Sequence, residues 1–352
     1  MTPCTLTSLT QLANLGVDTI IDVRAPAEFA EDHLPGAINL PVLSDAERAQ
    51  VGTIYKQTSP FDARKIGGAL VARNTAAHLQ GPLADHDGAW QPLVYCWRGG
   101  QRSGAFATIL GQVGWRVQLL QGGYRSYRRL VAAALYDTPL PHRLTLIEGG
   151  TGTAKTRLLH HLSQVGAQVL DLEALAGHRG SLFGAMPGGQ PAQKMFESRL
   201  AGALAALDPA RPTWVEAESS KIGDRVLPPS LWSAMCAAPR VELTAPLGAR
   251  AAFLCRAYDD LTADSGAFQD QLQRLRPYHS GEIIADWHEL ADAGHWSELA
   301  QALISRHYDP RYAKSAARSA PAAQHIALAD LEDATLAQTA AQLHAQSLSA
   351  AE

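Results

Sequence analysis

Short apolar segments alternate with helix-like stretches along the N-terminal part of the chain. Segments 18–23, 93–95 and 117–120 are apolar enough to be buried strands, and residues 104–111 have a helical composition. Strands that alternate with helices are typical of a parallel sheet covered by helices. The pattern therefore predicts a parallel α/β domain over residues 1–136.

A second alternating series follows a stretch that prolines interrupt. Residues 137–143 contain Pro139 and Pro141, which end the preceding helix-like run, and we expect a linker there. Beyond it, the pattern predicts a second α/β domain over residues 144–314, mostly helical after its last strand. Residues 315–352 are expected to add a strand and a helix that pack on this domain. The strands of the second domain are predicted at residues 144–147, 168–171, 213–218 and 241–244.

The composition is that of a globular protein and gives no general affinity for nucleic acid. Hydrophobic residues make up 46% and charged residues 18% of the 352 residues, which argues against disorder. The formal net charge is −4, so an RNA partner would need a local basic patch.

The sequence carries no sign of secretion, membrane insertion or a structural metal site. The first residues contain no basic stretch followed by an apolar run, and no apolar run approaches the roughly 20 residues that span a bilayer. The four cysteines lack CxxC spacing, so we expect neither a disulfide framework nor a zinc site. These features predict a cytoplasmic protein without membrane contact.

The first candidate site is a cysteine at the end of a predicted strand. In the stretch VYCWRGGQRSG, residues 94–104, Cys96 precedes a glycine-rich loop. Backbone N–H groups in such a loop converge on an anion and also stabilise a thiolate. We therefore predict that Cys96 is a nucleophile and that Arg102 binds an oxyanion. The alternative is a cysteine that only packs in the core. The predicted anion-binding loop comprises Trp97, Arg98, Gly99, Gly100 and Gln101.

The second candidate site is a phosphate-binding loop with the sequence EGGTGTAKT. It follows a predicted strand and precedes a helix-like run, as a P-loop requires. Lys155 would add positive charge, and Thr156 could hold a phosphate oxygen or Mg²⁺. Ala154 stands where glycine is usual, so its methyl group is expected to crowd the phosphates or strain the turn. The predicted diphosphate-binding residues are Gly149, Gly150, Thr151, Gly152, Thr153, Ala154, Lys155 and Thr156.

Acidic residues at the ends of two later strands are accessory candidates. Glu216 and Glu218 lie at the end of one predicted strand and Asp171 at the end of another, as metal-binding carboxylates of P-loop proteins do. The alternative is that they are solvated strand-end residues.

The N-terminal part resembles a rhodanese domain. The stretch DVRAPAEFAEDHLPGAINLP, residues 22–41, is similar to the front signature of that family. The resemblance implies that Asp22 and Arg24 lie beside the active-site pocket, although a strand-end salt bridge is an equal alternative. Five residues separate Cys96 from Arg102 here, whereas sulfur-transferring rhodaneses usually have four. The longer loop is similar to that of phosphatase-type members and would suit a phosphate-sized group such as selenophosphate.

A rhodanese domain followed by a P-loop domain resembles the bacterial tRNA 2-selenouridine synthases. The similar stretches are YCWRGGQRSG, QGGYRSYRR, DLEALAGHRGSLFG, QPAQKMFE and VEAESSKIG, which lie between residues 18 and 256. The resemblance implies a transferase that converts 2-thiouridine at the tRNA wobble position to 2-selenouridine. Geranyl diphosphate would first alkylate the sulfur, and selenophosphate would then supply selenium by way of Cys96. Both are substrates, so no tightly bound cofactor is expected.

Basic and aromatic residues after the cysteine loop are candidates for tRNA binding. Arginines could contact phosphates and tyrosines could stack on bases. A solvated helix face is the equal alternative. The candidates are Tyr124, Arg125, Tyr127, Arg128 and Arg129, with Arg179 as a further phosphate contact.

Two other functions are compatible with the motifs. One is a rhodanese- or phosphatase-like enzyme that acts on a phosphate-type substrate and has a regulatory nucleotide-binding P-loop domain. The other is a nucleotide-binding regulator whose rhodanese-like half is a sensor.

Overall fold

In the computed structural model the chain divides into two compact units. The structure describes residues 1–259, 265–317 and 321–349. Unit 1 comprises Met1–Pro139 and Pro191–Ala206, and unit 2 comprises Leu140–Gln190 and Leu207–Glu352.

Unit 1 is built on a parallel sheet. Its described strands pair in the order β1–β5–β4–β2–β3, and every pairing is parallel. Apolar side chains on the sheet and on the covering helices form the core, among them Val94, Phe106 and Leu110. The strands are β1 (Thr2–Cys4), β2 (Thr19–Asp22), β3 (Ala37–Asn39), β4 (Pro92–Tyr95) and β5 (Gln118–Leu120). The helices are α1 (Pro26–Glu31), α2 (Asp45–Gln57), α3 (Pro60–Gln80), α4 (Gln101–Val113) and α5 (Tyr124–Ala132).

Unit 2 has a parallel sheet and a helical part. The described strands of the main sheet pair in the order β12–β11–β6–β8–β7, again all parallel. The strands are β6 (Arg143–Gly149), β7 (Gln168–Leu170), β8 (Pro212–Glu216), β11 (Arg240–Thr244) and β12 (Gln324–Ala327), with the separate hairpin β9 (Lys221–Ile222) and β10 (Arg225–Val226).

Some helices of unit 2 cover its sheet, and the later ones pack mainly against each other. A first cluster of buried side chains, including Leu158 and Leu336, packs on the sheet. A second cluster around Phe268 and Trp287 holds the later helices together. The helices of unit 2 are α6 (Lys155–Gln164), α7 (Leu172–Ala176), α9 (Pro229–Ala237), α10 (Leu247–Ala257), α11 (Ser265–Gln273), α12 (Gly281–Asp292), α13 (Trp296–Leu303), α14 (Asp309–Ala316) and α15 (Asp333–Ser349).

One helix from the second half of the sequence belongs to unit 1. Helix α8 (Gln193–Ala206) carries Glu197, which is buried and ion-paired with Arg128. Ser198 of the same helix donates a hydrogen bond to Asp32 at 2.9 Å. Two buried polar contacts thus tie α8 to unit 1, and the sequence pattern over residues 144–314 does not anticipate this excursion.

The architecture confirms the predicted α/β fold class. Both units have the expected parallel sheets, and the part of unit 2 after β11 is mostly helical, as predicted. The short strands β1 and β3 were missed, because neither is a continuous apolar segment: β1 contains Thr2 and Pro3, and β3 ends in Asn39. No helix of the described residues is both long and apolar enough to cross a membrane.

Candidate active sites in a cysteine loop and a phosphate-binding loop

Cys96 lies at the C-terminal end of strand β4, where the chain turns into α4. The Ser103 hydroxyl lies 3.1 Å from Cys96 Sγ. Burial by itself would raise the pKa of the Cys96 thiol. Hydrogen bonds from Ser103 and from the Arg98 backbone, together with the charge of Arg102, outweigh it and lower the pKa of Cys96. The surroundings of Cys96 therefore favour its thiolate form.

The curl of the cysteine loop depends on close backbone packing. Gly123 has a φ of 58°, and a Cβ atom there would lie 2.2 Å from the Cys96 carbonyl oxygen. The Tyr124 backbone N–H donates to that same oxygen at 2.8 Å. A side chain at position 123 would therefore displace the loop that carries the thiol.

Arg102 has an acidic partner that sequence reasoning missed. Its guanidinium lies 2.7 Å from a Glu28 carboxylate oxygen, and both side chains are about four-fifths buried. Burial would raise the pKa of Glu28, but the bond to Arg102 lowers it. An entering anion would have to compete with Glu28 for this guanidinium. The position of Glu28 within the rhodanese-like signature, residues 22–41, was the available signal.

Around the loop lies an open cavity of about 660 Å³. Its lining residues are Glu28, Glu31, Arg48, Tyr55, Trp97, Arg98, Gln101 and Arg102. Its three arginines outnumber its two glutamates, which favours an anionic ligand.

Asp22 and Arg24 form a buried ion pair behind the cysteine loop. Arg24 Nη2 lies 2.6 Å from Asp22 Oδ2, and the side chains are 1% and 0% exposed. Neither residue lines the cavity beside Cys96. The salt-bridge alternative therefore describes the pair, although the Arg24 guanidinium also lies 5.9 Å from the Trp97 ring centroid of the cysteine loop.

The predicted tRNA-binding residues lie on α5 and are mostly engaged within unit 1. Tyr124 and Tyr127 are 3% and 1% exposed, so neither ring offers a face to a base. Arg128 is ion-paired with Glu197. This correction leaves Arg125, which is half-buried, and Arg129, which is exposed, as the members of the cluster that could meet a phosphate.

The phosphate-binding loop connects β6 to α6. Lys155 Nζ donates to the Gly149 carbonyl at 3.0 Å, and Thr153 Oγ1 donates to the Gly150 carbonyl at 2.8 Å. The Arg250 guanidinium donates two hydrogen bonds to the Thr151 carbonyl, at 2.9 and 2.7 Å. These bonds hold the loop in a curl of the kind whose backbone N–H groups bind an anion.

Ala154 is strained, as the sequence led us to expect. Its φ is 59°, and among the described residues no other non-glycine residue has a positive φ. The left-handed conformation is the one that glycine adopts without cost.

Next to Lys155 and Thr156 lies a cavity of about 820 Å³ that carries both basic and acidic side chains. Its charged and histidine lining residues are Lys155, Arg157, His160, Asp171, Glu173, His178, Arg179, Glu218, Lys221, His307 and Arg311.

The acidic group in this cavity contains a member that the sequence analysis missed. Glu173 accepts a hydrogen bond from Thr156 at 3.0 Å. Burial, and then the charge of Glu218, raise the pKa of Glu173 to about 7. Burial also raises the pKa of Glu218, and Lys155 opposes this shift. Glu173 comes two residues after the predicted strand end at Asp171, which was the available signal.

The other two accessory carboxylates have structural partners. Asp171 caps α7 by accepting from the Ala174 N–H at 2.8 Å and lies 3.1 Å from His160. Glu216 is fully buried, which raises its pKa well above the usual range, and it accepts from the Leu172 N–H. In the described part of the chain, no group of three or more His, Cys, Asp or Glu side chains is arranged to hold a metal ion.

An apolar pocket opens from the same loop. Thr151, Leu254 and Tyr258 line both this pocket and the larger cavity. Its far wall is aromatic, with Phe268 between Phe183 and Trp296 at ring-centroid distances of 5.5 and 5.4 Å. The site therefore joins a phosphate-binding loop to a space suited to a hydrocarbon chain.

A rhodanese-like unit with an activated cysteine, followed by a P-loop unit, defines a protein with two chemically different sites. The family model described as "Rhodanese-like domain" matches residues 5–130, and the model described as "tRNA 2-selenouridine synthase AAA domain" matches residues 142–280.

Three curated proteins show how far the similarity extends. The tRNA 2-selenouridine synthase of Nitrosomonas europaea is 38% identical over 265 residues, covering 74% of this chain and 68% of that protein. The Hahella chejuensis protein of that name is 34% identical over 323 residues, 84% of each chain. The Shewanella loihica protein of that name is 32% identical over 322 residues, 83% of this chain and 86% of its own.

The chain belongs to the tRNA 2-selenouridine synthase family. The resemblance seen in the sequence is thereby confirmed, as is the prediction of an enzyme of the transferase class.

Proposed function

We propose that this protein converts 2-thiouridine at the wobble position of tRNA to 2-selenouridine in two steps. Geranyl diphosphate alkylates the sulfur at the site of unit 2, and selenophosphate then supplies selenium at the cysteine loop of unit 1. Family membership supports the overall conversion. The observation that carries the choice of the first substrate is the apolar pocket that opens from the phosphate-binding loop.

A ligand for unit 2 needs an anionic head and an apolar tail. The loop and Lys155 can hold a diphosphate. The apolar pocket beside Leu254, Phe268 and Trp296 has about 80 Å³ of space and can take part of a ten-carbon chain, while the adjoining cavity of about 820 Å³ can take the rest. Each buried CH₂ group contributes about 0.8 kcal/mol, so such a tail would contribute substantially to binding. A nucleotide would leave this pocket unused.

The first step is a nucleophilic substitution at C1 of the geranyl group. The thiouridine sulfur bonds to C1 of the geranyl group, the C1–oxygen bond breaks, and diphosphate leaves while N3 loses its proton. Lys155 and the loop N–H groups stabilise the negative charge that develops on the leaving group. Thr156 and Glu173 supply the oxygen ligands that Mg²⁺ prefers and could hold such an ion beside the diphosphate.

The second step uses the activated thiolate. Attack of Cys96 on selenium would leave phosphorus reduced, whereas attack on phosphorus releases selenide and forms a phosphocysteine that hydrolyses to phosphate. Selenide then bonds to C2 of the base and expels geranylthiol. The phosphatase-like spacing of Cys96 and Arg102 supports this route.

The test incubates the full chain with 2-thiouridine tRNA, geranyl diphosphate and selenophosphate, followed by mass spectrometry of the wobble nucleoside. We expect 2-selenouridine from the unaltered protein and from Cys4→Ala, a control on a cysteine outside both sites. Cys96→Ala should stop at the S-geranyl nucleoside. Loss of both products in Cys96→Ala would refute the division between the two units, and absence of any S-geranyl product would refute the first step.

A further inference from the structure

The rim of the unit 2 cavity carries an exposed aromatic ring stacked with a cation. The Arg311 guanidinium carbon lies 4.0 Å from the centroid of the Tyr278 ring. Tyr278 is 57% exposed, and both residues line the cavity that contains Lys155 and Thr156. A large exposed ring on a cavity that also carries charged side chains suggests a contact for a planar, charged ligand.

The position of this stacked pair is fixed relative to the phosphate-binding loop. Asp309, at the start of α14, accepts hydrogen bonds from Arg250 at 2.6 and 3.0 Å. Arg250 in turn donates to the Thr151 carbonyl of the loop. The adjacent Tyr312 hydroxyl lies 3.3 Å from Glu148, at the end of the strand that precedes the loop. The helix that carries Arg311 is therefore anchored to the site it borders.

The chemistry of the pair matches that of an unpaired nucleobase. Single-stranded RNA bases stack on tyrosine rings and on guanidinium planes, and a cation beside the ring adds attraction for the phosphate backbone. Arg274 and Arg276, on the segment that leads into Tyr278, are exposed as well and add positive charge. The buried tyrosines Tyr124 and Tyr127 have no comparable surface.

We infer that Tyr278 and Arg311 form the platform on which a base of the tRNA anticodon loop stacks when 2-thiouridine enters the unit 2 cavity. This inference rests on the proposed function, because it takes alkylation of the wobble base in that cavity as given. It assigns the RNA contact of the first step to residues on the rim of the reaction cavity.

The experiment measures binding of an anticodon stem-loop RNA, with 2-thiouridine at the wobble position, to the full chain. Stacking of one base contributes enough that Tyr278→Ala should weaken binding at least fivefold, while Tyr278→Phe, which keeps the ring, should bind nearly as the unaltered protein does. Arg311→Ala should weaken binding and reduce the slope of affinity against salt by about one. Phe61→Ala and Arg116→Ala remove an exposed ring and an exposed arginine of unit 1 and should change nothing.

Two further measurements keep this inference separate from the proposed function. Affinity for inorganic diphosphate should be unchanged in Tyr278→Ala, which shows that the loop is intact. An RNA affinity of Tyr278→Ala within twofold of the unaltered protein would overturn the platform, even if S-geranyl product still forms. RNA binding that depends on Tyr278, without any geranyl transfer, would instead refute the proposed function and leave the platform standing.

Discussion

At the scale of single residues, the backbone of Ala154 stores strain in the phosphate-binding loop. A φ of 59° destabilises a residue with a Cβ atom by roughly 1–2 kcal/mol. Glycine would remove this strain but would also raise the conformational entropy of the unfolded chain, which offsets part of the gain. We therefore expect Ala154→Gly to raise the free energy of unfolding by about 0.5–1 kcal/mol, measured by chemical denaturation of the full chain. Ala341→Gly, in the interior of α15, is the matched control and should lower it by about 1 kcal/mol. A destabilised Ala154→Gly would mean that this strain is not relieved by glycine.

Glu173 should make diphosphate binding depend on pH. Burial and the charge of Glu218 raise its pKa to about 7, so it is mostly ionised at pH 8 and mostly protonated at pH 6. The ionised form repels an anion bound at Lys155, and acidification removes that repulsion.

Without divalent cations, we therefore expect the affinity for inorganic diphosphate to rise more from pH 8 to pH 6 in the unaltered protein than in Glu173→Gln. At pH 8 the variant should bind severalfold more tightly. The measurement is titration calorimetry of both proteins. Protonation of diphosphate itself affects both equally, so it cancels when the two pH profiles are compared. Glu298→Gln, at an exposed position, is the control. Parallel pH profiles would contradict this role of Glu173.

At this scale the sequence indicates candidates that lie in local motifs, but not the partners that folding brings to them. Cys96 directly follows strand β4, and Lys155 and Thr156 close the glycine-rich loop after β6, so local motifs predict all three. Glu28 and Arg102 are 74 positions apart in the sequence, and no local pattern predicts that they pair. Tyr124 and Tyr127 look like RNA-binding residues in sequence, but both are buried, and Tyr124 donates a hydrogen bond to the buried Asp32.

At the scale of elements, the apolar pocket depends on helices that are far apart in sequence. Leu254 on α10, Phe268 on α11 and Trp296 on α13 form its wall, and no motif joins these positions. Amphipathic patterning predicts that each helix buries a face, but not that the faces leave a space between them. In contrast, the strands of the parallel sheets other than β1 and β3 follow from short apolar segments, and the sequence predicts them.

Filling this pocket should weaken binding of the tail without affecting the phosphate loop. Ala300 of α13 lines the pocket, so Ala300→Leu would occupy part of the space. We expect the affinity for geranyl diphosphate to fall at least tenfold, because several CH₂ groups lose their buried contacts. Affinity for inorganic diphosphate should stay the same, and Ala293→Leu, at an exposed position, should alter neither. Equal loss of both ligands would indicate a distorted site rather than a tail pocket.

At the scale of the whole molecule, each candidate site is built from residues of a single unit. Cys96, Arg102 and Glu28 all belong to unit 1, whereas Lys155 and the apolar pocket belong to unit 2. Helix α8 shows that the fold nevertheless joins the two halves of the sequence, since it lies in the second half and completes unit 1. Each candidate site therefore takes its residues from one unit, although the chain passes from unit 2 back to unit 1 at α8. Only the composition of the sites has a direct consequence for the chemistry.

Two defective variants, one in each site, should complement each other when mixed. Lys155→Ala removes the cation that stabilises diphosphate and should block S-geranyl formation, yet it should still selenate tRNA that is already geranylated. Cys96→Ala should geranylate and then stop. If each unit holds a complete site, tRNA geranylated by Cys96→Ala can pass to Lys155→Ala, and the mixture should yield 2-selenouridine that neither variant produces alone. Mass spectrometry of the wobble nucleoside provides the measurement, with the double variant as the negative control. Failure of the mixture, when each variant performs its own half-reaction on supplied substrate, would show that the intermediate must stay on one molecule.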